Sequence, residues 1–173
     1  MNKSTIFSLI IVITIGSFLY QGMYYDPKII KSPMIGKTFP IFSLKDLFSD
    51  NIYTNQTSFD RITIVNIWAS WCLECDREHS YLIELSKNND FDLIGINYKD
   101  EPSDAMNWLS MRGNPYKIII SDLNGDLSMN LGVYGVPETY IVNENQTIIY
   151  KHIGPLTKTI IKNEMEPLLR KKE

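Results

Sequence analysis

Both cysteines of the chain lie in one tetrapeptide, Cys72-Leu-Glu-Cys75, at the seam between two very different stretches of sequence. Before it runs Ile62-Thr-Ile-Val-Asn-Ile-Trp-Ala69, apolar and β-branched, which predicts a buried strand. After it, Leu73 to Lys87 is rich in helix formers, with Leu82, Ile83 and Leu85 apolar, and stops at Asn88-Asn89. At such a strand-to-helix turn Cys72 falls at the helix start. The unpaired backbone N–H groups there carry partial positive charge, which stabilises a thiolate. Cys75 follows nearly one helical turn later, close enough to close a small ring. An exposed nucleophile beside a resolving thiol is the layout that thiol–disulfide exchange requires.

Three other readings of the pair compete. A structural disulfide closing so short a loop stabilises little, because the entropic gain grows with loop size. A metal site needs further ligands, and the chain offers only His79 and His152 as histidines. Two unreactive core cysteines are the third. The strand–CxxC–helix placement within a βαβ pattern favours redox work. Composition narrows the field further. With 173 residues, 44% of them apolar, the chain can bury one sizeable core, which excludes disorder as a class. Two cysteines exclude a disulfide-stapled mini-protein. A net charge of −3 with scattered Lys and Arg points away from nucleic acid.

The rest of the pattern completes a fold class. Phe39 to Leu44 alternates briefly, as an edge strand or hairpin does. Phe91 to Tyr98 predicts a second strand, and Ser103 to Met111 a helix with Ser103 as cap and Asp104 in its first turn, stopped at Gly113-Asn-Pro115. Tyr116 to Ile120 predicts a third strand and Leu127 to Leu131 a short helix or turn. Glu138 to Val142 and Thr147 to Tyr150 flank Asn143-Glu-Asn-Gln146 as an antiparallel hairpin. An amphipathic helix carrying Leu156, Ile160, Ile161, Met165, Leu168 and Leu169 closes the chain. The order β-α-β-α-β then β-β-α predicts a central mixed sheet flanked by helices.

The N-terminus has a different character. No charged residue lies between Lys3 and Asp26, and the run from Thr5 to Tyr25 is mostly apolar, reaching the ~20 residues a bilayer-crossing helix needs. Tyr20, Tyr24 and Tyr25 suit the far interface. A cleaved signal peptide would want a small-x-small cleavage site, which Phe18 to Tyr25 does not offer, and a core helix would show a polar stripe. The expectation is a transmembrane anchor over 1–25, a tether with Pro27, Pro33, Gly36 and Pro40 over 26–40, and an α/β domain over 41–173. A short N-terminal tail favours the domain in the periplasm or an equivalent space.

Trp68-Ala-Ser-Trp-Cys-Leu-Glu-Cys75 resembles the active site of the thioredoxin superfamily. Five further stretches sharpen the likeness: Ile35-Gly-Lys-Thr-Phe-Pro40, Cys75-Asp-Arg-Glu-His79, Gly95-Ile-Asn-Tyr-Lys-Asp100, Gly113-Asn-Pro-Tyr116 and Gly132-Val-Tyr-Gly-Val-Pro-Glu-Thr139. From about residue 33 onward the chain is similar to the membrane-anchored, thioredoxin-like DsbE or CcmG proteins of bacterial cytochrome c maturation. The resemblance implies a thioredoxin-like fold and a single-pass protein of the bacterial inner membrane with its catalytic domain in the periplasm. It implies a redox-active Cys72–Cys75 disulfide with no bound cofactor or metal, and a cis bond at Val136–Pro137. The implied activity is reduction of apocytochrome c, or of a maturation thiol protein, so that haem can attach. Electrons would come from a DsbD-like membrane donor, and a monomer is expected. The rival readings are a general periplasmic reductase of the same fold and, from another class, a copper-binding metallochaperone.

Several positions depart from the family. Leu73 stands where Pro usually follows the first Cys, and Asp76 where Arg is common. With Glu74, Glu78 and Glu138, Asp76 predicts an acidic mouth that would oppose thiolate formation. Asn66 occupies the position of a buried Asp that takes a proton in thioredoxins, so Cys75 would have to give its proton to Glu78, Glu138 or water. Both glutamates could instead be solvated surface groups. Trp71 would shield the disulfide, contact substrate or simply pack, and His79 reads as a packed helix residue.

Overall fold

Six consecutive buried residues, Thr63–Trp68, form the central strand β3, which is why that stretch reads as largely apolar and β-branched sequence. The computed structural model describes residues 2–23 and 33–169. Strand β3 lies in a five-stranded sheet of order β5-β4-β3-β6-β7. Its neighbour β4 (Asp92–Tyr98) and, beyond that, β5 (Ile118–Asp122) run parallel to it; on the other side β6 (Glu138–Val142) runs antiparallel to β3, and β7 (Ile148–Ile153) antiparallel to β6. Alternation along β3 feeds two cores. Ile64 and Trp68 join Leu82, Trp108, Leu109, Ile141 and Met165 on one face. Val65 and Ile67 join Phe39, Phe42, Phe59, Ile94, Ile96 and Tyr140 on the other. This is the expected thioredoxin-like arrangement of a mixed sheet between helices.

The helices follow the sequence signals with local differences. α3 (Leu73–Leu85) starts at the CxxC, as expected. α4 (Pro102–Arg112) begins with Glu101 as N-cap rather than Ser103. Pro102 explains the shift: it fits the first helical position, where its missing N–H costs nothing. Gly113, at φ 87°, ends that helix in a conformation that favours glycine. α5 spans Asp126–Asn130. The C-terminal helix is not uniform. α6 (Lys158–Ile160) widens into a π-helical segment, Ile161–Met165, before α7 (Glu166–Leu169). Pro167, within α7, has no N–H to donate. Met165 and Leu169 are buried, but Leu168 is exposed, so it leaves the expected apolar face.

The early segment is also richer than expected. Strands β1 (Ser43–Lys45) and β2 (Ile52–Thr54) pair antiparallel, and the single-turn helix α2 (Asn55–Ser58) follows. Two compact units, Met1–Ser32 and Pro33–Glu173, divide the chain. Residues 33–40 of the expected tether belong to the second: Phe39 is buried, and its N–H donates to Gln146 O at 2.7 Å. The remainder of the tether, 26–32, and the interfacial Tyr24 and Tyr25 lie outside the described residues. In the first unit, Lys3–Met23 forms the helix α1 of 21 residues, with Phe7, Val12 and Phe18 exposed. Among the described residues no helix is long and apolar enough to cross a membrane, so the expected transmembrane helix is not supported.

Candidate active site

Strand β3 delivers the chain to one end of the sheet, and the turn Ala69–Trp71 carries it into α3. Asp100, itself buried, fixes that turn. It accepts from Ser70 N–H at 2.6 Å, Ser70 Oγ at 2.7 Å and Asn97 Nδ2 at 2.9 Å. Trp71 stays 59% exposed, with Nε1 donating to Lys99 O at 3.1 Å. Cys72 is the N-cap of α3, and its Sγ accepts from Cys75 N–H at 3.0 Å. The sulfur thus occupies the place an oxygen usually takes at a helix start. In the reduced state the same N–H and the helix terminus favour a thiolate there.

Cys72 and Cys75 are joined in a disulfide with Cα atoms 5.3 Å apart. Cys72 is 6% exposed and Cys75 2%, so the expected contrast between an open and a covered sulfur is narrow in this oxidised state. Leu73, in place of the family's Pro, is 68% exposed at the first position of α3. The Val136–Pro137 bond is cis, as the resemblance implied. Ile67 pairs with Glu138 across β3 and β6, so Pro137 lies at the end of the sheet from which the CxxC departs.

The acidic mouth does not form. Glu74 pairs with Arg77, and Asp76 pairs with Arg112, whose hydrogen bond holds the Asp76 carboxyl below its usual value. Glu78 and Glu138 are both fully buried rather than solvated. Glu78 accepts from Asn66 Nδ2 at 2.8 Å and from Leu156 N–H at 2.7 Å. Burial pushes its carboxyl up to about 7 against the pull of those two hydrogen bonds. Asn66 also donates to Thr139 Oγ1 at 3.1 Å and accepts from Tyr116 OH at 2.7 Å. Burial, then the Glu78 charge, holds the Tyr116 hydroxyl well above its usual range, so Tyr116 remains a donor. The position that cannot itself take a proton therefore orients the carboxylate that can.

Glu138 has quite different surroundings. It forms an ion pair with Lys151 Nζ at 2.9 Å and accepts from Tyr134 N–H at 2.8 Å and Tyr140 OH at 2.9 Å. Sequence reasoning missed Lys151, and also Asp100, although the stretch ending at Asp100 belonged to the resemblance. A lysine alternating with apolar residues on a strand was the available signal. His79 is packed as expected. It sits 4.6 Å edge-on from the Trp108 ring with Nε2 3.1 Å from Gly113 O, and burial lowers its pKa. Among the described residues no group of three or more His, Cys, Asp or Glu side chains is placed to hold a metal ion.

Comparison with known proteins agrees with this chemistry. The sequence profile of the Redoxin family matches residues 34–169. The thiol:disulfide interchange protein DsbE of Vibrio cholerae is 38% identical over 178 residues, covering 99% of this chain and 96% of its own. DsbE of Pseudomonas fluorescens is 38% identical over 157 residues, covering 91% and 88%. Among solved structures, the thioredoxin domain of a thiol-disulfide oxidoreductase from Bacteroides vulgatus superposes with a TM-score of 0.69 at 18% identity, covering 80% of this chain and all of that one, a likeness of fold. The paired cysteines at the head of α3 and relatives matched along most of their own length lead to one conclusion: the chain belongs to the DsbE family of thiol:disulfide interchange proteins and is a thiol:disulfide oxidoreductase with a thioredoxin-like fold.

Proposed function

We propose that this oxidoreductase works as a periplasmic reductant of apocytochrome c or of a thiol protein that serves cytochrome c maturation. The observation that carries the reading is the pairing of Cys72, capped by an N–H of its own helix, with Cys75 one turn above a buried carboxyl that titrates near neutrality. In the working direction the Cys72 thiolate attacks one sulfur of the partner disulfide. That S–S bond breaks, and the partner's other sulfur leaves as a thiolate and takes up a proton. Cys75 then gives its proton to Glu78, directly or through water, and attacks Cys72 Sγ. The partner's second sulfur leaves, and two electrons have passed to the partner. The enzyme is left with the Cys72–Cys75 disulfide, which a DsbD-like membrane dithiol would reduce again. Trp71 is the proposed partner-facing residue, and the buried Pro137 and Glu138 are proposed to support the loop at which the partner docks.

Association with the inner membrane through the apolar N-terminal segment, with the catalytic domain in the periplasm, is part of the proposal. The exposed apolar side chains of α1 support it. The test is trapping in cells. Cys75→Ser removes only the resolving step, so a covalent adduct through Cys72 should accumulate in the membrane fraction; Cys72→Ser should accumulate little. Acid quenching, non-reducing electrophoresis and mass spectrometry identify the adduct. Stronger trapping by Cys72→Ser would reverse the assignment of the nucleophile. Adducts spread over unrelated periplasmic proteins would favour a general reductase.

A further inference from the structure

Lys151 has no part in the chemistry above, yet it is placed with unusual economy. It lies on β7 opposite Tyr140 of β6, and although its backbone is partly open, its side chain is only 1% exposed. An ammonium group loses its hydration there, which is costly unless close partners replace the water. Every partner comes from the single segment 132–140. Nζ donates to Gly132 O at 2.7 Å and pairs with Glu138 Oε2 at 2.9 Å. It also sits 5.0 Å from the Tyr134 ring centroid and 5.2 Å from that of Tyr140. Glu138 Oε1 in turn accepts from Tyr134 N–H. Lys151 therefore fastens both ends of the loop that carries Pro137, and holds the exposed Tyr134 ring from beneath. Its charge is compensated only while that loop keeps this shape.

We infer that Lys151 is a positioning residue that sets the Gly132–Glu138 loop and the outward face of Tyr134 to receive a disulfide carried on a polypeptide chain. This rests on the proposed reading in one respect, that the partner is a protein docking beside Pro137. A glutathione-sized disulfide needs only the sulfurs and would not depend on the loop's shape.

The test uses the reduced full-length protein in single-turnover reactions with three disulfides: insulin, a synthetic peptide with an oxidised Cys-x-x-Cys-His motif, and glutathione disulfide. Lys151→Met should lower the ratio of the insulin rate to the glutathione disulfide rate by about tenfold or more, the scale expected from a misplaced docking surface. Lys151→Arg, which keeps the charge and the donors, should restore most of that ratio. A Lys151→Met, Glu138→Gln double variant leaves no unpaired buried charge. It should regain stability in urea unfolding but not the insulin ratio. If Lys151→Met is too unstable to purify, the double variant reads the same ratio. The inference is overturned if Lys151→Met slows both disulfides equally, or if the double variant recovers the insulin ratio, because Lys151 would then serve only to neutralise Glu138. The cytochrome reading fails separately, if the unaltered protein reduces the peptide no faster than insulin; the insulin ratio still decides the role of Lys151.

Discussion

Replacing Glu78 by Gln isolates the electrostatic load carried beneath the disulfide. The Glu78 carboxyl is completely buried, and burial moves it from 4.5 to about 7. In the unfolded chain it titrates near its ordinary value. Between those two values the folded protein holds a proton that the unfolded chain has released. Stability therefore falls as pH rises through that window. Below pH 4.5 the carboxyl is protonated in both states and the penalty is absent; above about pH 7 it is ionised in both and the penalty is complete. A displacement of that size corresponds to about 3 kcal/mol. The assay is urea unfolding of the oxidised protein and of Glu78→Gln from about pH 5 to about pH 8, compared as a difference in unfolding free energy at each pH. Gln offers one acceptor to the two donors Asn66 Nδ2 and Leu156 N–H, so the variant carries a pH-independent cost of about 1–3 kcal/mol. His79 and His152, whose pKa values burial lowers, titrate in both proteins and drop out of the difference. What remains is a difference that shifts in favour of the variant by about 2–3 kcal/mol as pH rises across the window. Parallel profiles would show that Glu78 is solvated or compensated in solution, and a difference moving the other way would show that its carboxyl is lowered.

Two structural predictions follow from the elements that hold the site. Gly95→Ala would place a methyl carbon 2.8 Å from Trp68 Nε1 and 2.9 Å from the Tyr116 ring, two groups stacked at 5.7 Å. It should cost about 2 kcal/mol or more, read as a lower urea midpoint with an unchanged m-value; a midpoint equal to that of the unaltered protein would mean that the stack yields freely. Asp100→Ala strands the N–H and hydroxyl of Ser70 and the Asn97 amide, and should cost about 3 kcal/mol. Hydrogen exchange at the Ser70 and Trp71 amides should quicken selectively, and unaltered exchange there would show that the turn before Cys72 does not depend on Asp100.

The parts of the fold that were legible in the sequence are those in which one residue pattern runs long enough to outweigh local accidents. The largely apolar, β-branched run of β3 reads as a strand buried on both faces. The CxxC, lying where that strand ends, fixes the start of α3. Short elements were legible only in part: an edge strand or hairpin expected over Phe39 to Leu44 falls at Ser43–Lys45, and β2 was not expected. β1 and β2 have three residues each, too few for a period of two to declare itself, and they exist because they pair with each other. The N-cap of α4 was misplaced because Ser103 is the better cap by type, whereas Pro102 settles the question by geometry. The π-helical widening before Pro167 exchanges which residues face the core, and an ideal helical period cannot anticipate that.

The site was legible in its residues but not in their charges. Glu78 and Glu138 look alike in the sequence, two acids near the redox pair, and both are fully buried. What separates them is the company that distant segments bring. Glu78 meets only neutral donors, Asn66 on β3 and the Leu156 N–H 78 residues along the chain, so its ionised form goes uncompensated. Glu138 meets the ammonium of Lys151 from the neighbouring strand, and both its oxygens are engaged. That carboxylate is committed to holding the Lys151 ammonium in the interior. A carboxyl poised near neutrality can exchange its proton in either direction at little cost. Of the proton acceptors that the sequence left open for Cys75, the electrostatics thus favour Glu78, and Glu138 is left to hold the loop at which a partner chain would dock.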